Sequence, residues 1–121
     1  MKIAVLGLII SLGMLQGCAA VTEAGYYWGG YSGTLYKYTK DPNEATLANH
    51  VEELEKIIEV SQQKSLRVPP GIYAELGYIL ARQGNEAGAA AQFEREMTLY
   101  PESRVFLERL QIETHKVSDK S

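Results

Sequence analysis

Residues 70–101 read PGIYAELGYILARQGNEAGAAAQFEREMTLYP, and this stretch decides the fold. Tyr73, Leu76 and Leu80 recur at the three- and four-residue steps of one helical face. Gly84-Asn85 makes a short break, and Gly84 can take the left-handed conformation that ends a helix. Ala89 and Phe93 then mark the inner face of a second helix, which Pro101 stops. Two consecutive helices with so short a link must lie antiparallel. Gly77 and Ala89 are small where the two would approach closely, while Leu80 and Phe93 fill the space between them.

Tyr73, Leu76, Gly77, Leu80, Ala89, Phe93 and Pro101 fall where the tetratricopeptide repeat, of about 34 residues, wants a large aromatic, Leu, Gly, a large residue, Ala, Phe and Pro. The stretch therefore resembles one such repeat. The departure is Glu96, with Met97 beside it, where the pattern wants alanine and close contact with a following helix. One repeat cannot bury both of its faces, so it needs stacked neighbours. Upstream, Asp41-Pro42-Asn43-Glu44 reads as a helix start, with Asp41 as cap, Pro42 in the first turn and Glu44 completing a box-like arrangement. Leu47, Ala48, Val51, Leu54, Ile57 and Ile58 give that helix an apolar face to about Gln63, and the Pro69-Pro70 pair follows its end. Downstream, a helix from Glu102 or Ser103 would cap the repeat with Val105, Phe106, Leu107, Leu110 and Ile112. The expected fold is all-α: a short TPR-like stack of about four helices over residues 41–116, with a frayed tail at 117–121.

The N-terminal third differs. Lys2 precedes an apolar run from Ile3 to Leu15, whose thirteen residues make about 20 Å of helix, too short for a span of about 30 Å. It suits a signal peptide over residues 1–17. The run ends in Leu15-Gln16-Gly17-Cys18, which looks like the lipobox of bacterial lipoproteins, with cleavage before Cys18 and acylation of its thiol and amine. Cys18 is the sole cysteine of the 121 residues, so neither a disulfide framework nor a cysteine metal site is expected. Residue 19 is alanine rather than the aspartate that holds enteric-type lipoproteins at the inner membrane, which points to the outer membrane. The expected location is lipid-anchored there, facing the periplasm.

Residues 18–40 form an aromatic, glycine-rich stalk with no visible helical period. Tyr26, Tyr27, Trp28, Tyr31, Tyr36 and Tyr38 stand among Gly25, Gly29, Gly30 and Gly33. The rings could fold back on the helical body, dock a partner, or lie at the lipid headgroups. Trp28 and Tyr31 are the stalk's candidates for partner contact.

Twelve basic against fifteen acidic residues give a net charge of −3, and loss of Lys2 makes the mature chain one unit more acidic. A nucleic-acid binder needs the opposite balance. Catalytic signatures are missing: His50 and His115 lie far apart, no Ser-His-Asp order appears, and Gly29-Gly30 with Gly33 lacks the context of a phosphate loop. His50 reads as a residue of the polar side of its helix. His115 sits near the last turn of the terminal helix, where a cation complements the dipole. No enzyme activity, cofactor, metal or small-molecule substrate is expected. The candidate protein-binding face is the concave side of the repeat, where Ala74 leaves room and Tyr78 and Arg82 stand one turn apart. The competing reading packs Tyr78 against the stalk or terminal helix and pairs Arg82 with Glu75 or Glu86.

The whole chain resembles a family of small bacterial lipoproteins catalogued as a domain of unknown function. The likeness rests on the lipobox, Trp28-Gly29-Gly30-Tyr31, the Tyr36 to Tyr38 aromatics, and Val68-Pro69-Pro70-Gly71 leading into Leu76-Gly77. Phe93-Glu94-Arg95-Glu96 and Tyr100-Pro101-Glu102-Ser103 belong to it too. Such lipoproteins are often encoded beside one similar to the curli secretion channel. The resemblance implies an accessory or scaffold role in an envelope secretion or assembly complex, with a secretion-channel-like lipoprotein as partner. A pilotin-like chaperone for an outer-membrane channel subunit, or a purely structural envelope lipoprotein, are the alternatives.

Overall fold

The computed structural model describes residues 25–120; the leader, Cys18 and the first residues of the stalk lie outside them. Among the described residues five α-helices follow one another: α1 Tyr31–Lys40, α2 Glu44–Gln63, α3 Ile72–Arg82, α4 Glu86–Leu99 and α5 Arg104–Ser118, with a 3-10 turn at Pro101–Ser103. The fold is all-α, a short stack of helices. It has one helix more than the stack expected from the sequence, because the second half of the stalk is α1. Three of its four glycines lie ahead of that helix, and only Gly33 falls inside it. Tertiary contact supplies what propensity does not: Tyr31, Thr34 and Tyr38 share the face that meets α2.

The start of α2 is also shifted. Asn43, not Asp41, is the cap: its Oδ1 accepts from Thr46 N at 3.0 Å, and Thr46 Oγ1 accepts from Asn43 N at 3.1 Å. The Asp41 carbonyl instead accepts from the Thr46 hydroxyl at 2.7 Å. α2 closes in a Schellman turn, with Leu66 N bonded to Ser61 O and Ser65 N to Gln62 O. Ser65 occupies the left-handed position at φ +53°.

Two apolar clusters hold the stack. Leu54, Ile57, Val68, Ile72, Tyr73 and Leu76 form the first, with Tyr27 and Tyr31 laid against it, so the stalk does fold back on the body. Ala89, Phe93, Met97 and Leu107 form the second. α5 closes the second cluster with only one side. Leu107 is buried and Leu110 half-buried, whereas Val105, Phe106 and Ile112, expected to cap the repeat, face outward. The helix also runs on to Ser118, through the start of the expected frayed tail.

Candidate partner-binding surface

α3 carries the surface and owes both of its ends to neighbours in sequence and space. Its N-terminal cap is Gly71, at φ +92° and without a side chain to accept the first free amides. Glu96 of α4 does so: its Oε1 accepts from Gly71 N at 2.7 Å. Glu96 is 2 % exposed, and burial pushes its carboxyl above the usual range, while the backbone amides of Gly71, Ala74 and Tyr73 pull the other way. A buried carboxylate thus replaces the expected alanine because a helix start needs an acceptor there. At the other end Asn85 N bonds to Leu80 O and Gly84 N to Ala81 O, with Gly84 at φ +81°. Midway, a Cβ at Gly77 would lie 2.8 Å from the Phe93 ring and 3.1 Å from the Ala89 carbonyl. The close approach read from the sequence is present.

This frame aims Tyr78 and Arg82 into an open groove of about 540 Å³ between α3 and α5. Ala81 and Leu110 line it, both packed from below on the second cluster, and Glu113 and Val117 come from α5. The Arg82 guanidinium lies 5.9 Å from the Tyr78 ring centre, with Nη1 at 3.5 Å from the hydroxyl. Neither expected carboxylate takes Arg82. Glu75 is bonded to Tyr31 and His50, and Glu86 lies 3.5 Å from His115. Tyr78 is 39 % exposed rather than buried under the stalk. Ala74 does not line the groove; it packs against the second cluster. An apolar floor between a ring-guanidinium wall and a carboxylate suits a short extended or helical segment with one apolar side chain pointing down.

Trp28 and Tyr31 lie elsewhere, at the start of α1. Tyr31 donates to Glu75 Oε2 at 2.7 Å, and burial, that bond and the carboxylate charge push its phenol up to about 12. Trp28 stacks obliquely on Tyr31 at 5.5 Å and is 41 % exposed. Tyr31 is therefore a clamp between helices, and Trp28 is the part of the pair that faces outward.

The same cluster corrects the reading of His50, which is fully buried. Its Nε2 lies 2.7 Å from Glu75 Oε1 and its Nδ1 2.8 Å from Thr34 Oγ1, so α1, α2 and α3 meet at one imidazole. With the proton on Nε2, the ring donates to Glu75 and accepts from Thr34. Tyr38 stacks on the ring at 6.4 Å. A signal for this was present. His50, Leu54, Ile57 and Ser61 are the buried positions of α2, and they are spaced on one helical stripe.

Among the described residues, no group of three or more His, Cys, Asp or Glu is placed to hold a metal ion, and no helix is long and apolar enough to cross a membrane. A family model described as a domain of unknown function (DUF4810) matches residues 26–110. No curated protein and no solved structure matches the chain.

Proposed function

This chain belongs to the DUF4810 family, a domain of unknown function, and we propose that it is a non-enzymatic, lipid-anchored scaffold. Cys18 carries the acyl groups at the outer membrane, and the helical body faces the periplasm. There the α3–α5 groove holds a segment of an envelope secretion or assembly complex, a secretion-channel-like lipoprotein being the partner that the sequence resemblance suggests. The observation that carries this reading is the open groove with Tyr78 and Arg82 on its wall. The repeat-like residues of α3 and α4 support it as well, since hairpins of this kind present such surfaces for protein capture. Leu15-Gln16-Gly17-Cys18 supports the anchor.

The test is crosslinking in cells of the acylated protein from its native membranes, with mass spectrometry of what it captures. Tyr78→Ala with Arg82→Ala is expected to lower capture of a channel-like lipoprotein about tenfold or more while leaving helicity unchanged. Capture that survives the double change moves the site off the groove. Capture no greater than that of Cys18→Ser leaves a structural lipoprotein. A partner that fails to reach the outer membrane when the protein is removed makes it a pilotin-like chaperone.

A further inference from the structure

α1 carries chemistry that the groove does not use. Residues 25–40 hold Lys37 and Lys40 and no acidic residue, in a chain of net charge −3. Tyr31, Thr34 and Tyr38 occupy the inward face of this helix, so at about 100° per residue Tyr36 and Lys40 point outward, and Lys37 is exposed on the flank beside them. Tyr36 is 63 % exposed, and the Lys40 ammonium lies 5.7 Å from its ring centre. Just before the helix, Tyr26 and Trp28 are exposed as well, in edge contact at 6.4 Å. Two carboxylates lie at that end and both are engaged, Glu53 accepting from Gly30 N and Glu75 from the Tyr31 hydroxyl, while Asp41 lies past the other end of the helix.

Exposed amphipathic rings beside lysines make the composition that settles at a headgroup layer, rings at the boundary and ammonium groups on phosphates. Chain length brings the two together. Gly25 is seven residues on from Cys18, and at about 3.5 Å per residue the link spans at most about 25 Å. A lipid-anchored Cys18 would therefore hold α1 beside the surface at high effective concentration.

We propose that the outward face of α1, with Tyr26 and Trp28, docks on the anionic lipid surface in which Cys18 is anchored. This rests on the lipoprotein reading above. Docking through α1 leaves the α3–α5 groove unobstructed, because no residue of α1 lines it.

Trp28 is the sole tryptophan, so its emission reports this contact alone. The acylated full chain is reconstituted into phosphatidylethanolamine–phosphatidylglycerol vesicles whose acyl chains carry bromine. Expected are a blue shift and strong quenching of Trp28, both reduced by high salt. Lys37→Glu with Lys40→Glu should weaken vesicle partitioning of the Cys18→Ser chain about twenty-five-fold or more, at about fivefold per lysine. Trp28 emission from the reconstituted chain equal to that of the Cys18→Ser chain without vesicles overturns the proposal. So does unquenched Trp28 with a photocrosslinker at Tyr36 that captures a protein. Equal quenching in phosphatidylcholine vesicles overturns the role of the lysines. Acylation is read separately from the intact mass: a chain without the acyl mass defeats the lipoprotein reading, while the Cys18→Ser chain with added vesicles still decides whether α1 docks.

Discussion

The hairpins α1–α2 and α3–α4 solve the same problem with different chemistry. In each, the first helix starts at a glycine without a capping side chain, and a glutamate of the second helix accepts from that glycine's N–H: Glu53 from Gly30 at 2.6 Å, Glu96 from Gly71 at 2.7 Å. In each, a small residue meets a ring of the next helix. Gly77 meets Phe93 in the second hairpin, and Thr34 meets His50 in the first. Three of these four correspondences keep one register, since Thr34 to Gly77, His50 to Phe93 and Glu53 to Glu96 are the same distance apart in sequence, while the two capping glycines are two residues closer. The environments differ. Glu96 is buried, whereas Glu53 lies 3.9 Å from exposed Lys56; Phe93 needs no partner, whereas His50 needs two. One architecture can thus rest on shape or on polar pairing, and the two should fail differently when altered.

The largest effect is expected from Gly77→Leu. Its Cβ already has no room beside Phe93 and the Ala89 carbonyl, so overpacking should cost about 3 kcal/mol or more in urea denaturation, with the m-value checked for a two-state transition. His50→Ala should cost about 2 kcal/mol, because it removes the fully buried ring that joins Glu75 Oε1 to Thr34 and leaves a space in its place. Adding Glu75→Leu should recover part of that loss, for which the apolar Gly77–Phe93 contact offers no counterpart. A full additive loss in the double variant would show that the polar pairing is not what matters at His50.

Glu96→Gln separates the two caps by pH. A carboxyl whose native pKa is raised binds its proton more tightly folded than unfolded. Its contribution is therefore fully present below the unfolded value and is lost as pH rises through the native one. Denaturation series from pH 4 to 7 should show that decline in the parent and a flatter profile in Glu96→Gln. Glu53→Gln should change little, because the amide oxygen keeps an acceptor for Gly30 N. The smallest effect is a gain: Ser65→Gly should add about 1 kcal/mol by relieving a left-handed serine in a turn whose twin at α3 already has Gly84.

This contrast also explains what the sequence made legible. Gly77, Ala89 and Phe93 announce their hairpin because small-on-large apolar contact is written in residue size and period. Thr34 and His50 make the corresponding contact with polar atoms, so a hydrophobic pattern passes over them, and α1 looked like stalk. Glu96 showed as an anomaly but not as a cap, since its acceptor role depends on a glycine 25 positions earlier. Tyr78 and Arg82 were legible as a pair. The groove's far wall was not, because whether Glu113 and Val117 face α3 depends on how α5 crosses it.

The borrowed caps set the grain at which this molecule can be cut. A peptide limited to α3 would begin with free amides and only eleven residues of helix, too few to nucleate well in water. The first turn of α3 is in effect specified by a codon of α4. Anyone transplanting α3 with its Tyr78 and Arg82 to another scaffold would have to move the stretch from Gly71 through Glu96 as one cassette and supply the α5 wall separately, because the hairpin, not the helix, is the unit that carries the instructions for α3.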